Sequence, residues 1–235
     1  QLGRNSTSDS LIPVETNAFP NDEIPLFMSS THDHACAVVQ DTENTVYCWG
    51  KNSDGQLGTS STTNKLIPTY MFGSQYIYSV GAGRRHTCVV QNGGVERVMC
   101  TGYNGEGAFG NGTTVSAYIL TVANSQVYPP RYITAGEHTC AEYYSGAATG
   151  EPQKRSLMWW GNNNNGQVGN DSSGNDVLQP SNVYGSWLSG TDHSFAGAIQ
   201  TCGIKDGDKY CWGTNTSGQV GDGTTTSRDI PTLVD

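Results

Sequence analysis

The chain has 235 residues, long enough to bury a hydrophobic core in one large domain or two small ones. Only 14% of the residues are charged and 30 are Gly, a composition that favours short strands and tight turns over long helices. The formal net charge is −9 and the 12 Lys and Arg residues are scattered, which argues against nucleic acid as the main partner. No apolar run approaches the roughly 20 residues that cross a bilayer, so we expect no membrane insertion.

Short apolar and aromatic runs predict β-strands along the chain. Val38-Val39, Val46–Trp49 and Ile77–Val80 are rich in β-branched and aromatic residues, which are typical of strands. Farther on, Asp206-Gly207 interrupts such a run and predicts a two-residue hairpin turn. The sequence therefore predicts an all-β fold.

A Gly-rich segment occurs four times and aligns without gaps. The copies read WGKNSDGQLG, TGYNGEGAFG, WGNNNNGQVG and WGTNTSGQVG, and they end at Gly58, Gly110, Gly169 and Gly221. The shared pattern is W-G-x-N-x-x-G-Q-φ-G, where φ is apolar, and the copies are spaced by 52, 59 and 52 residues. Regular spacing of this kind is typical of propellers and other repeat folds.

A second motif lies between the Gly-rich segments, and it reads His34-Ala35-Cys36, His86-Thr87-Cys88 and His138-Thr139-Cys140 in successive copies. We assign Asp192–Phe195 to the matching position of the last copy. The two motifs together resemble the RCC1 repeat family over almost the whole chain. This resemblance implies a β-propeller of four-stranded blades, in which the Trp residues of the Gly-rich segments pack between blades.

The resemblance predicts a single RCC1-like propeller domain or fragment over residues 1–235. Gln1-Leu2-Gly3 matches Gln56-Leu57-Gly58, so we expect four full repeats plus a partial one. The expected sequence units are approximately 4–58, 59–110, 111–169 and 170–221, with 222–235 opening a further blade. Since RCC1-like propellers usually close with seven blades, we expect part of a larger ring; a smaller ring closed by pairing of its ends is the alternative.

Six of the seven cysteines form pairs with hairpin spacing. Cys36 and Cys48 are 12 residues apart, as are Cys88 and Cys100, and Cys202 and Cys211 are 9 apart. Facing residues on antiparallel strands have Cα atoms about 4.5–5.5 Å apart, within reach of a disulfide. We therefore predict three disulfides within blades.

Cys140 remains unpaired, because Trp159 stands where its partner would be. Two interpretations stay open. Either Cys140 is a buried free thiol, or it bonds to another part of a larger molecule or to another chain.

Four N-x-S/T sequons begin at Asn5, Asn111, Asn170 and Asn215, in or beside the Gly-rich loops. Such loops are expected at the surface, where a glycan could be attached. Paired cysteines indicate an oxidising compartment. We therefore expect an extracellular or cell-surface protein.

Motifs of hydrolases, nucleotide-binding proteins and zinc sites are absent, so we expect no catalytic residues, no cofactor and no metal. The repeated histidines would be spread around the ring rather than gathered on one ion. The best candidate for a contact loop is the insertion of the longest repeat, with Tyr143, Tyr144, Lys154 and Arg155 beside it. Insertions in repeat proteins map to loops on one face, which is often the binding face.

These observations favour a secreted or cell-surface, non-enzymatic structural or protein-interaction module that binds a protein partner or neighbouring subunits. The alternatives are a secreted proteinaceous enzyme inhibitor and a carbohydrate-binding propeller. Guanine-nucleotide exchange, the founding activity of the family, fits less well because it requires a reducing compartment and chromatin contact. Photoreception is not expected, because the light-sensing members use G-W-R-H-T and Arg84 stands in place of that Trp.

Overall fold

The computed structural model describes residues 1–17, 19–20, 23–123, 130–145, 154–185 and 191–234. Within these ranges the chain forms sixteen β-strands and no α-helix. The strands make four sheets of four antiparallel strands each, which we call blades 1 to 4. No helix in these ranges is long and apolar enough to cross a membrane.

The strands follow one another in chain order within each blade. Blade 1 contains β1 (Ile24–Ser30), β2 (His34–Gln40), β3 (Thr45–Gly50) and β4 (Lys65–Tyr70). Blade 2 contains β5 (Ile77–Ala82), β6 (His86–Asn92), β7 (Glu96–Gly102) and β8 (Ala117–Val122). Blade 3 contains β9 (Pro130–Ala135), β10 (His138–Ser145), β11 (Lys154–Gly161) and β12 (Val177–Asn182). Blade 4 contains β13 (Thr191–Ala196), β14 (Gln200–Lys205), β15 (Asp208–Gly213) and β16 (Arg228–Val234).

The first strand of each blade lies innermost, since β5 packs against both β1 and β9, and β9 also packs against β13. In blades 2 and 3 the second and third strands are covered on both faces by neighbouring blades. For example, Val38 and Val46 of blade 1 share one buried cluster with Ile77, Val80 and Val89 of blade 2. The apolar core therefore lies between blades, as a propeller of stacked sheets requires.

Several predictions from the sequence are confirmed. The runs at Val38-Val39, Val46–Trp49 and Ile77–Val80 lie in β2, β3 and β5. Asp206 and Gly207 have φ values of 55° and 89° and join β14 to β15, as expected for a tight hairpin turn.

The structure joins the same three cysteine pairs that the sequence suggests, Cys36–Cys48, Cys88–Cys100 and Cys202–Cys211, each with Cα atoms 4.1 Å apart. In blade 3 the residue that faces Cys140 across the hairpin is Trp159. Cys140 is buried and has a free thiol. Blade 3 thus has the same hairpin as the other blades, but no disulfide crosses it.

The prediction that residues 222–235 open a further blade is wrong. β16 pairs antiparallel with β15, with Val234 opposite Lys209, and forms the outermost strand of blade 4. The reason is that the chain reverses direction in the Gly-rich loop after every third strand and returns along the outside of the same sheet. Each sequence unit therefore combines the outer strand of one blade with three strands of the next.

The assignment of Asp192–Phe195 to the repeated His motif is also wrong. These residues lie in the inner strand β13, and Gln200-Thr201-Cys202 of β14 occupies the position of His86-Thr87-Cys88. The turn before the motif fixes this equivalence, because Gly197 N donates to Gln200 O as Gly83 N donates to His86 O. Because Gln replaces His in blade 4, the motif is difficult to recognise in the sequence there.

Candidate functional site

The Asn of each Gly-rich segment holds that loop in shape. In blade 1 the Asn52 side chain accepts a hydrogen bond from Leu57 N at 2.9 Å and donates to the carbonyls of Ser61 and Thr63. The equivalent residues that accept from the backbone N–H five residues ahead are Asn104, Asn163 and Asn215. These buried amides satisfy the polar groups of a long irregular loop, which explains why Asn recurs in the pattern.

The Gly of the Trp-Gly pair allows the loop to start close to the neighbouring turn. Gly50 has a φ of 105°, and a Cβ at this position would lie 2.5 Å from Asp33 O. A side chain is excluded by both the backbone conformation and the contact. The start of the Gly-rich loop and the turn between the first two strands therefore lie side by side at one end of each blade.

A buried hydrogen-bond relay joins each blade to the next one. The Thr87 hydroxyl of blade 2 donates its only proton to Gln56 O at 2.7 Å, so the His34 imidazole 2.8 Å away must be the donor to Thr87. His34 is therefore protonated on Nε2 when it is neutral. The same pairs of bonds recur in His86–Thr139–Ala108 and His138–Thr201–Gln167.

These histidines are structural. Burial lowers the pKa of His34 to about 4 and that of His86 and His138 to about 3, because desolvation disfavours the charged imidazolium. At neutral pH the three rings are uncharged and bonded to threonines, so none is available as a general acid or base. No group of three or more His, Cys, Asp or Glu side chains that could hold a metal ion occurs in the described part of the chain.

The tryptophans of the Gly-rich segments pack against the loop of the preceding blade. Trp160 Nε1 donates to Ala108 O at 2.8 Å, and Trp212 Nε1 donates to Gln167 O at 2.9 Å. A Cβ at Gly110 would lie 2.8 Å from the Trp160 indole nitrogen, so only Gly permits this contact. The prediction of packing between blades is thus confirmed for Trp160 and Trp212.

The first residues of the chain occupy the same place on blade 1. Trp49 Nε1 donates to Gln1 O at 2.7 Å, and Gly3 lies against the Trp49 indole as Gly110 lies against Trp160. Asn5 N then donates to Leu66 O on the outer strand of the blade. Gln1-Leu2-Gly3 thus matches the other Gly-rich segments in structure as well as in amino-acid sequence.

At the end of the blades where these turns meet, a cavity of about 1040 Å³ opens between them. Its walls come from the turn between the first and second strands of all four blades and from the Gly-rich loops of blades 1 and 2. Its charged or aromatic lining side chains are His32, Asp33, Lys51, Asp54, Arg84, Arg85, His86, Tyr103, Glu106 and Glu137. We refer to this feature as the charged cavity.

Ion pairs cross from blade to blade around the charged cavity. Arg85 of blade 2 forms a two-pronged contact with Asp54 of blade 1, at 2.6 and 3.1 Å, and its guanidinium lies 3.8 Å from the ring centre of Tyr103. Arg84 pairs with Glu137 of blade 3. These pairs place two arginines on one turn of blade 2, fixed from opposite sides.

A similar group lies on blade 1, where Lys51 Nζ is 3.0 Å from one oxygen of Asp33 and His32 Nδ1 is 2.8 Å from the other. The hydrogen bond from Lys51 contributes most to lowering the pKa of Asp33, followed by that from His32. The hydrogen bonds from Arg85 similarly lower the pKa of Asp54. Both carboxyl groups are therefore ionised at neutral pH.

The cations of the charged cavity point outward and the anions lie beneath them. The side chains of Arg84, Arg85 and Lys51 are 64%, 45% and 44% exposed. Those of their partners Glu137, Asp54 and Asp33 are 16%, 17% and 22% exposed, respectively. Within these three pairs an approaching molecule therefore meets the cation first, although the protein as a whole is acidic and Glu106, a fourth carboxylate of the lining, is partly exposed.

The predicted contact loop is not part of this site as far as the structure describes it. Tyr143 is 1% exposed and packs in the core with Ile133 and Trp160, so its side chain is not a surface contact. The side chains of Tyr144, Lys154 and Arg155, and residues 146–153 between them, lie outside the described residues.

Three of the four sequon asparagines are at least partly accessible, namely Asn5, Asn111 and Asn170. Asn215 is an exception, because it is 0% exposed and its amide nitrogen donates to the carbonyls of Thr224 and Thr226. The prediction of a glycan at Asn215 is therefore wrong: this residue is the loop-holding Asn of blade 4.

The comparisons with known proteins agree with this architecture. The family described as regulator of chromosome condensation (RCC1) repeat matches residues 43–90 and 206–235, and a second RCC1 repeat family matches residues 28–56. The fold resembles that of Prp20p from Saccharomyces cerevisiae, with a TM-score of 0.77 and 18% identity, over 93% of this chain and 52% of that one. It also resembles human WBSCR16, with a TM-score of 0.72 and 19% identity, over 95% and 54% of the two chains.

The protein is therefore an RCC1-like repeat β-propeller. Among curated relatives, it is similar to the ultraviolet-B receptor UVR8 of Arabidopsis thaliana, with 28% identity over the whole chain and 51% of the relative. It is also similar to the human X-linked retinitis pigmentosa GTPase regulator, with 31% identity over 64% of this chain and 14% of that protein. The chain thus spans about half the length of the first relative and a smaller part of the second.

Sequence reasoning missed the charged cavity. Arg84-Arg85 stands out as the largest basic cluster, but Asp54 is 31 residues from its partner Arg85 and Glu137 is 53 residues from its partner Arg84. A usable signal exists in the turn before each His motif, where the repeats differ: His32-Asp33 in blade 1, Arg84-Arg85 in blade 2 and Glu137 in blade 3. Positions that vary while the surrounding motif persists are free of the packing role and available for binding.

Proposed function

We propose that this protein is a secreted or cell-surface, non-enzymatic module that binds a protein partner, and that the charged cavity is its binding site. The single observation that carries the proposal is the outward set of cations in a cavity bounded by turns from all four blades. A concave surface with a few fixed charged groups is the usual form of a binding site.

The organisation of the cavity favours binding over catalysis. Three of the four carboxylates at its wall are paired with a cation, namely Asp33, Asp54 and Glu137. The neighbouring relay histidine His86 is neutral and bonded to Thr139. The wall thus supplies charge and hydrogen-bond donors that are fixed before a partner arrives, which limits the entropy lost on association. Some solved relatives point the same way, since yeast RCC1 (Prp20) has been solved with Kap60 bound to it.

The proposed location rests on the cysteines. Three blades have facing cysteines with Cα atoms 4.1 Å apart, and such structural disulfides persist in oxidising compartments. The accessible sequon residues Asn5 and Asn111 fit a secretory route. Comparison of the intact mass before and after reduction, on protein taken from the medium of producing cells, tests this part. Three disulfides and an exported product support it, and an intracellular product with free thiols contradicts it.

The binding part can be tested by site-specific photocrosslinking. A photoreactive amino acid at Lys51 lies in the charged cavity, and one at the exposed Lys209 at the far end of blade 4 is the matched control. On cells that export the protein, we expect a discrete protein adduct from position 51 and none from position 209. Equal labelling from both positions, or none from position 51, would contradict the proposal.

A further inference from the structure

We propose that the charged cavity binds an acidic segment of its partner, a stretch rich in Asp or Glu whose carboxylates bind Arg84, Arg85 and Lys51. This inference rests on the proposed function and names the chemistry of the partner.

The arginines retain hydrogen-bond donors after forming their internal pairs. A guanidinium has five N–H groups in a planar fork. Arg85 uses Nε and one Nη2 hydrogen on Asp54, and Arg84 uses Nη1 on Glu137. Each arginine therefore keeps donors for a second carboxylate, and Asp54 together with Tyr103 fixes the plane of the Arg85 fork.

The asymmetry of exposure determines which sign of charge a partner meets. Arg84 is 64% exposed, whereas its partner Glu137 is 16% exposed. An incoming carboxylate can reach the guanidinium without displacing Glu137, but an incoming ammonium would have to displace Arg84 to reach it. Exposed ion pairs of this kind contribute little to stability, so Arg84 can share its charge between two carboxylates at small cost.

The overall acidity of the protein does not prevent this binding. The net charge of −9 is spread over the whole molecule. At physiological ionic strength the Debye length is about 8 Å, so charges farther away than this are largely screened, whereas contacts within the cavity are screened less. Since the cavity cations are partly neutralised by their own partners, we expect moderate affinity that weakens as salt is added.

The test uses the full chain and three fluorescent peptides of equal length: octaglutamate, octalysine and a Gly-Ser octamer. Fluorescence anisotropy is measured at near-physiological ionic strength and at about 1 M salt, where the Debye length falls to about 3 Å. We expect octaglutamate to bind, the Gly-Ser peptide not to bind, and added salt to weaken the complex. Preferential binding of octalysine, or of neither charged peptide, overturns the inference.

Substitutions then locate the site. Arg84→Gln and Arg85→Gln should each weaken octaglutamate binding by about two- to fivefold, the range expected for an exposed charge pair. Glu137→Gln should strengthen it by about two- to threefold, because it releases Arg84 from its internal partner. Lys209→Gln, at the opposite end of blade 4, should leave the affinity unchanged.

The opposite signs of the Arg84 and Glu137 variants make the test specific. General damage to the fold would weaken binding in both, and circular dichroism of each variant checks that the blades remain folded. If Lys51 crosslinks a protein but octaglutamate does not bind, the acidic-segment inference fails and the proposed function survives. If octaglutamate binds to the Arg84→Gln/Arg85→Gln double variant as well as to the parent, the site assignment fails.

Discussion

Blades 2 and 3 stabilise the hairpin between their second and third strands in different ways. In blade 2, Cys88 and Cys100 face each other across β6 and β7 and form a disulfide. In blade 3, Cys140 faces Trp159, which is fully buried and lies 5.6 Å, ring centre to ring centre, from Trp212 of blade 4. The comparison shows that the repeat fixes the register of the hairpin and leaves open whether a covalent bond or packing secures it.

The largest expected loss of stability comes from removing the buried side chain of Trp159 in blade 3. Trp159→Ala should lower the free energy of unfolding by about 3–5 kcal/mol, because it leaves a cavity between His138 and Trp212 in a core that cannot fully collapse. Urea unfolding followed by fluorescence or circular dichroism measures the loss. Phe72→Ala, at an aromatic that is 53% exposed, is the control and should cost much less. Equal losses in the two variants would show that Trp159 does not secure blade 3.

The disulfide of blade 2 should contribute slightly less to the free energy of unfolding than Trp159 does. The double variant Cys88→Ala/Cys100→Ala releases a loop of 12 residues and should lower the free energy of unfolding by about 3 kcal/mol. Cys140→Ala, which breaks no disulfide, is the matched control at the equivalent position. If the double variant and the control lose the same stability, the disulfide adds nothing beyond packing, and the difference between the blades disappears.

The smallest expected effect is on the pH dependence of stability. It concerns the position that is His in blades 1 to 3 and Gln in blade 4. Because burial lowers the pKa of His86 to about 3, below the unfolded value of about 6.5, the unfolded state binds more protons as the pH falls. The stability that His86 contributes is therefore present above about pH 6.5 and is lost progressively from there down to about pH 3. Gln200 of blade 4 has no such titration.

His86→Gln should accordingly reduce the pH dependence of unfolding by roughly 1 kcal/mol per pH unit between pH 6 and 4. Urea unfolding at pH 7.5, 6 and 5 on the variant and the parent measures the two slopes. Identical slopes would mean that His86 titrates with the same pKa in the folded and unfolded states, which contradicts its burial in the relay described above.

Much of the fold was predictable because its determinants are local and repeated. The Gly-rich segments, the facing cysteines and the Asp206-Gly207 turn each specify a backbone conformation within a short stretch, and they recur in phase. The boundary of a blade was not predictable in the same way. Whether β16 is the first strand of a new blade or the last strand of blade 4 depends on which strand it pairs with. The sequence of Arg228–Val234 is compatible with either position.

The charged cavity was harder to predict than the fold. Its members come from turns on different blades, and pairs such as Arg85–Asp54 and Arg84–Glu137 depend on how the blades are placed in space. Tyr143 shows the opposite error. It lies beside an insertion and was expected at the surface, but alternation along β10 directs its side chain into the core with Ile133.

The relay between blades also has a consequence for assembly. Blades 1 to 3 offer a histidine and a loop carbonyl on one side. Blades 2 to 4 offer a threonine on the other side, with an indole beside it in blades 3 and 4. The two sides are complementary to each other but not to themselves, so contacts of this type are heterologous. Units with such faces can add only head to tail, in a ring or a spiral, and a twofold dimer would require some other part of the surface.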